Sequence, residues 1–446
     1  MGVAVRGIHM DLKGLPPTPR RILELLNVIA AARYNLLLVE WEDMFPWTID
    51  HAFRNPTAYS DAEVIESCRG AAERGIEVVP LVQSLGHMET FLSPRRYHHL
   101  REVDHLADTL HPLAEGAVDL IRRMIDDVLR LMPNAKYFHL GGDEAPKLGV
   151  HPASQKFVEQ HGKAALYLKH VEPLLDHLAN RGIRPILWHD MMHDWPPEDL
   201  HRIARKADLM VWGYGEGPDQ SQSHYRTSVI EKFRHAGVQL WAATAYKGAD
   251  GCTMDLPQLE SRAQNATAWV ELSERIPLQG IVATGWSRYS AHRPQNEPID
   301  GALDLLMFVG AILHDGAPPA GGIEESARQL ALLGESERFL SCRNALAELA
   351  AARHDAWMHV QQLREQIALE QYDERRRFGG HAQILLGLLR DARQRVIEAS
   401  IHVRAALKGA VHLLWVDEYL HTRLAPIDSE IQNQAAFLAQ IESKRV

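Results

Sequence analysis

Cysteine is scarce in this chain: three among 446 residues, Cys68, Cys252 and Cys342. They lie far apart and none sits in a C-x-x-C pair, which argues against a disulfide framework and against a zinc knuckle. Positive charge is also in deficit. Lys plus Arg number 48 against 58 Asp plus Glu, a formal net charge of -10, with no basic stripe. Nucleic acid and anionic membrane surfaces are therefore poor partners. No apolar run is long enough to span a bilayer, and the opening residues Met1 to His9 carry no secretory apolar core. The expected compartment is the cytoplasm. No solenoid repeat stands out. What remains is an ordinary globular composition, 46% hydrophobic and 24% charged. It suits a neutral sugar or peptide substrate, and the length allows one large barrel plus a smaller domain.

Eight short apolar, β-rich runs punctuate the first two thirds of the chain: 3–10, 36–41, 76–84, 136–142, 184–189, 208–213, 238–244 and 280–286. Helical segments fall between them, such as Pro19–Arg33 and Ala117–Leu131. Alternating units with strands apolar on both faces predict a (β/α)8 barrel of the α/β class, with a doubly wound open sheet as the alternative. Two long gaps, after the third and eighth runs, leave room for rim loops. The barrel is expected over residues 1–316, a linker over 317–322 (Ala-Pro-Pro-Ala-Gly-Gly), and a C-terminal bundle of about three helices over 323–446. In it Leu346, Leu349, Ala356, Val360, Leu363 and Ile367 trace one face. Ile384, Leu388, Ala392 and Val396 trace another. Its expected roles are packing against the barrel or a homodimer contact.

The densest chemistry lies in Lys136-Tyr-Phe-His-Leu-Gly-Gly-Asp-Glu-Ala-Pro146. Neighbouring side chains on a regular strand face opposite ways, so Asp143 and Glu144 could not share one site. Gly141 and Gly142 let the backbone leave strand geometry just before the pair. Carboxylates at the carboxyl end of a barrel strand are placed for catalysis. The other strand ends carry His9, Asp11 and Lys13; Glu40 and Glu42; Gln83 and His87; Trp188, His189 and Asp190; Trp212 and Tyr214; Tyr246 and Lys247; Trp286, Arg288 and Tyr289, with Glu297 beyond. A mouth lined by indoles and carboxylates suits a sugar ring: its apolar face stacks on tryptophan while its hydroxyls bond to Arg, Asp and Glu.

These motifs resemble those of glycoside hydrolase family 20, the β-N-acetylhexosaminidases, and within it the hexosaminidase D branch. The resemblance covers about residues 3–315. It rests on His139-x-Gly-Gly-Asp143-Glu144, on Arg6-x-x-x-x-Asp11-Leu-Lys-Gly14, and on Glu40-Trp-Glu-Asp-Met-Phe-Pro46. Gln83-Ser-Leu-Gly-His-Met-Glu89, Ala245-Tyr-Lys-Gly-Ala249 and Thr284-Gly-Trp-Ser-Arg-Tyr289 add to it. The chain departs from the larger enzymes, which place Tyr-x-Asp after the seventh strand; here the stretch is Tyr246-Lys-Gly-Ala-Asp250.

The resemblance implies retaining exo-hydrolysis of terminal N-acetylgalactosamine or N-acetylglucosamine, in which the substrate's own acetamido group attacks. Glu144 is then the general acid and base, with a pKa raised by burial and by neighbouring charge. Asp143 orients the acetamido N–H, and Tyr214 or Tyr246 holds its oxygen. Trp188, Trp212 and Trp286 wall the acetamido pocket. Arg6, Arg288 and Glu297 are expected on sugar hydroxyls, and His87 and His139 in the substrate site or bonded to a carboxylate. No cofactor is called for. Two other readings are a metal-dependent hydrolase on the same barrel, using His9, Asp11, His139 and His189, and a non-catalytic sugar-binding barrel.

Overall fold

The computed structural model of the chain describes residues 2–373 and 380–443. Eight parallel strands close a barrel: β1 (Arg6–Asp11), β2 (Leu36–Glu40), β3 (Glu77–Leu81), β6 (Tyr137–His139), β7 (Arg184–Trp188), β8 (Asp208–Trp212), β9 (Leu240–Lys247) and β10 (Ile281–Gly285). β10 closes on β1 through Arg6↔Ile281 and its two following pairs. Each strand coincides with one of the eight apolar runs. Two further strands, β4 (Arg101–Val103) and β5 (Leu106–Leu110), form an antiparallel hairpin in the long connection before β6. They are too short and too polar to stand out as an apolar run.

Side chains pointing inward build a separate apolar layer from Leu36, Leu38, Val79, Leu81, Ile186, Met210, Ala243 and Val282. Outward side chains merge with the surrounding helices into one large core. The first helix, Pro19–Ala31, starts where expected. Thr18 Oγ1 accepts the Arg21 N–H at 3.3 Å, and proline occupies the first turn, where its missing N–H costs nothing. It ends two residues before the expected Arg33, which takes a left-handed φ of 66°. Ala117–Leu131 is a helix with the expected bounds.

After the Pro-Pro turn come a short helix, Gly322–Leu332, and three long ones, Ser336–Tyr372, His381–Ala406 and Leu413–Ser443. The stripe from Leu346 to Ile367 is buried throughout. The second expected stripe is out of phase: Ile384 is 59% and Leu388 42% exposed. The buried face runs through Ala382, Leu386, Leu389, Ala392, Val396, Ala399 and Val403. A strict i+4 series drifts round the helix by roughly 40° per step, so it leaves a straight contact stripe within a few turns. The C-terminal segment also closes on the start of the barrel. Thr18 Oγ1 donates to the Gly409 carbonyl at 2.9 Å, across 391 residues of sequence, and Pro17 bridges Val411. Arg21 pairs with Asp300 and with Glu335.

Candidate active site

The Asp143–Glu144 pair follows β6 on a backbone that has left strand geometry. Gly141 has φ 59°, Gly142 has φ 83°, and Glu144 itself has φ 42°. A Cβ on Gly141 would stand 1.9 Å from Gln83 Oε1, and one on Gly142 2.4 Å from the Tyr167 hydroxyl. Neither position admits a side chain. The Tyr167 hydroxyl donates to the Gly142 carbonyl at 3.0 Å and fixes the turn. Asp190 anchors it from the next strand: its Oδ2 accepts the Glu144 N–H at 2.9 Å, and its Oδ1 accepts Trp212 Nε1 at 3.1 Å.

Both carboxylates open onto a cavity of about 220 Å³ at the carboxyl end of the barrel. Trp188, Trp212 and Trp286 line it with Tyr214, Tyr289, His87, Arg288, Cys252 and Asn296. The indoles come from the ends of three strands and lean on one another. Trp188 and Trp286 centroids are 5.9 Å apart, and Trp212 stacks on Tyr214 at 5.4 Å. The Tyr214 hydroxyl accepts Trp286 Nε1 at 3.0 Å and is hydrogen-bonded to Thr284 as well.

His87 joins the two acids. Its Nε2 lies 3.4 Å from Asp143 Oδ2 and 3.2 Å from Glu144 Oε2. Burial alone would lower the His87 pKa, but the charge and hydrogen bonding of Asp143, with Glu144 and Glu89 behind, hold it well above its ordinary value. The effect on Glu144 is the reverse of the expected one. Burial pushes its carboxyl up, yet the His87 hydrogen bond and charge, with Tyr289, bring it below the usual carboxylate value. The raised group is Asp190, pushed up by burial and then by the Asp143 charge.

Four expected substrate contacts lie elsewhere. Arg6 begins β1 at the opposite end of the barrel, and its guanidinium donates to the carbonyls of Val3, Ala4 and Arg33. Its distance from the carboxyl-terminal rim follows from its place in the strand: Asp11, not Arg6, is the last residue of β1. Tyr246 points out of β9 into the core behind the barrel and does not line the cavity; of the two expected tyrosines, Tyr214 is the one that does. Glu297 is 1% exposed and accepts the Gly248 N–H at 2.7 Å; its neighbour Asn296 lines the cavity instead. His139 lies under the floor, its ring 4.3 Å from that of Trp188. Its Nδ1 accepts the Gly141 N–H at 3.0 Å, which puts the proton of the neutral ring on Nε2, and burial lowers its pKa to about 3.

The ends of β1 and β2 hold a buried ionic cluster. Lys13 Nζ lies 3.1 Å from Asp11 and 2.8 Å from Glu40, all but fully buried. Burial would lower the Lys13 pKa, but Asp11 and Glu40 hold it above normal. His9 sits 3.5 Å from Glu40, and Gln83 donates to Glu40 at 3.2 Å. None of these five lines the cavity. His189 is buried beside His224 and behind Trp212. Among the described residues no three His, Cys, Asp or Glu side chains converge to hold a metal ion. Asn265, which opens an Asn-Ala-Thr glycosylation triplet, is buried inside the fold, its side chain bonded to Thr244, Gly213 and Gly215.

Sequence reasoning gave no role to Asp190, Tyr289, Cys252 or Asn296. Asp190 and Tyr289 stood at strand ends, where position was a usable signal. Cys252 and Asn296 come from loops whose course no periodicity reports.

Residues 4–230 match the family described as glycosyl hydrolase family 20, catalytic domain. The chain is 36% identical over 322 residues to hexosaminidase D of Bos taurus, covering 70% of this chain and 92% of that protein. It is 36% identical over 296 residues to hexosaminidase D of Homo sapiens, covering 64% and 60%. Among solved structures, the β-N-acetylhexosaminidase of Bacteroides fragilis superposes with a TM-score of 0.56 at 17% identity, over 75% of this chain and 71% of that one. The Flavobacterium johnsoniae chitobiase gives 0.57 at 15% identity, over 99% and 72%. With the barrel and its acid pair in view, these matches identify the chain as a member of glycoside hydrolase family 20, a hydrolase of the β-hexosaminidase type.

Proposed function

We propose that the chain is a retaining exo-β-N-acetylhexosaminidase that uses the substrate's 2-acetamido group as its nucleophile. The supporting observation is the adjacent pair Asp143 and Glu144 opening together on a cavity walled by three indoles. The small volume favours one terminal sugar over an internal stretch of chain, and both N-acetylgalactosamine and N-acetylglucosamine are candidates.

In the first step the acetamido oxygen bonds to the anomeric carbon and the bond to the leaving oxygen breaks. Glu144 delivers the proton that this oxygen takes up. Asp143 accepts the acetamido N–H and stabilises the positive charge growing on the oxazolinium ring. Tyr214 donates to the acetamido oxygen. In the second step water attacks the anomeric carbon, Glu144 takes its proton, and the ring reopens with configuration retained. His87 gives the low pKa of Glu144 a purpose: the His87–Glu144 pair stores one proton. The acetamido N–H, on reaching Asp143, loosens Asp143 from His87 and lets that proton pass to Glu144.

The test is a parallel assay of nitrophenyl N-acetylgalactosaminide, N-acetylglucosaminide and the two sugars with hydroxyl in place of acetamido. Cleavage of the amides, blocked by a thiazoline analogue of the cyclic intermediate, is the expected result. Equal rates on sugars lacking the amide would remove the mechanism, and no cleavage of any would favour a sugar-binding barrel.

A further inference from the structure

The outer wall of the cavity is made by two loops, and one helix face holds both. After β9, Gly248, Ala249, Gly251 and Cys252 line the cavity. This loop is irregular: Gly248, Gly251 and Thr253 have φ of 69°, 116° and 66°. It is secured just past the lining residues, at Asp255, which is 3% exposed. Asp255 Oδ1 accepts the Tyr419 hydroxyl at 2.6 Å and Arg423 Nε at 2.9 Å, and its Oδ2 pairs with Arg353. Arg353 also donates to the Thr253 carbonyl at 3.1 Å, and Arg423 to the Met254 carbonyl at 3.3 Å.

The second loop follows β10 and brings Arg288, the one guanidinium in the wall. Arg288 is 5% exposed. Its Nη1 donates to the carbonyls of Ala291 and Arg293, its Nη2 to Glu418 Oε1 at 2.8 Å, and its guanidinium lies 5.4 Å from the Trp415 ring centroid. Its Nε is buried with no partner. A buried donor left unpaired carries a desolvation penalty that a ligand oxygen would relieve. Trp415 reaches further, donating to Thr57 in the loop after β2 at 2.9 Å.

Trp415, Glu418, Tyr419 and Arg423 fall at i, i+3, i+4 and i+8, which is one face of the helix Leu413–Ser443. We infer that this face is part of the sugar-binding apparatus, with Glu418 a positioning residue that aims Arg288 at a hydroxyl of the bound N-acetylhexosamine. The inference rests on the proposed function for its ligand. A guanidinium binds hydroxyls through a fixed fork, so a small rotation misplaces it. Glu418 is 43% exposed on its side chain and carries no core packing, so its carboxylate can be changed without touching the fold. Arg288 touches the sugar alike in ground and transition states, so its misplacement raises KM and leaves kcat.

The experiment compares Glu418→Gln and Glu418→Asp with the wild-type chain. Three quantities are read: kinetics on a nitrophenyl N-acetylhexosaminide, tryptophan-fluorescence titration with N-acetylgalactosamine and N-acetylglucosamine, and thermal unfolding. Glu418→Gln is expected to raise KM and the sugar's Kd together by roughly fivefold to tenfold, the worth of one hydrogen bond. The melting temperature and kcat stay put, and Glu418→Asp recovers most of the loss. An unchanged KM and Kd, or a fall in melting temperature as the sole effect, overturns the inference. A wild-type chain that binds sugar without cleaving it would fail the proposed activity, while the titration still decides the role of Glu418. A chain that does neither overturns both.

Discussion

The two sides of the barrel use strand ends in opposite ways. On the side of β1 and β2 the ends carry Asp11, Lys13, Glu40 and His9, locked into a buried cluster that never meets the cavity. On the side of β6 to β10 they carry Asp143, Glu144 and the indoles, and these line the cavity. In sequence the first side looks the more chemical, with more charge per residue. Charge that is matched within the protein is spent; charge that faces a cavity, short of partners, is available. Asp143, on the cavity wall, is of the second kind.

The harshest test of that contrast is Lys13→Met. It strands Asp11 and Glu40 without their cation, and breaking a buried pair costs about 3–5 kcal/mol. Denaturant unfolding should show the loss, while the KM of the surviving folded protein holds. A drop in activity with full stability would place the cluster in the chemistry and erase the contrast. Glu144→Gln comes next: kcat on substrates with poor leaving groups should fall by at least ~100-fold, with the melting temperature retained. Asp143→Asn should follow it in direction. The two tyrosines then separate the sides of a single strand wall. Tyr214→Phe removes a donor aimed at the acetamido oxygen and should cost about 100-fold in kcat. Tyr246→Phe, behind the wall, should leave kcat alone; the opposite ranking would return Tyr246 to the site.

The mildest expected effect is a shift in pH profile. His87 holds Glu144 below its ordinary pKa by hydrogen bonding and charge, against burial. With His87→Gln that cation is gone and the Glu144 pKa rises. In the wild type the working proton is stored on the His87–Glu144 pair and leaves only at the raised pKa of His87, so with Glu144 alone to hold it the alkaline limb of kcat/KM should move to lower pH. A limb that stays, or moves up, would detach His87 from the acid.

The barrel was legible because strands buried on both faces leave dense apolar runs, and eight of them can be counted. The acid pair was legible because two glycines and two carboxylates in a row demand a special backbone. What was not legible was depth along a strand. Arg6 and Asp11 differ by the length of β1, which separates the floor of the barrel from its rim, and composition does not mark which end is which. Nor does it mark the face: Tyr246 and Lys247 are neighbours pointing opposite ways. The pKa of Glu144 was misjudged for a related reason, since His87 is 57 residues away in sequence and its meeting with the acids is purely tertiary. The second helical stripe was misphased because Ile384, Leu385, Leu386, Leu388 and Leu389 offer apolar side chains in several directions at once.

One contact bears on how the molecule is made. The hydroxyl of Thr18, which caps the earliest helix, is itself held by the Gly409 carbonyl. During translation some 390 residues must leave the ribosome before that bond can form. Until then the opening βα unit lacks its helical brace, and the apolar surface that brace covers stays exposed. Contacts of such long range slow folding and lengthen exposure to aggregation. The nascent chain therefore depends on its last quarter to finish its first turn, and chaperone demand should be greatest just before that quarter emerges.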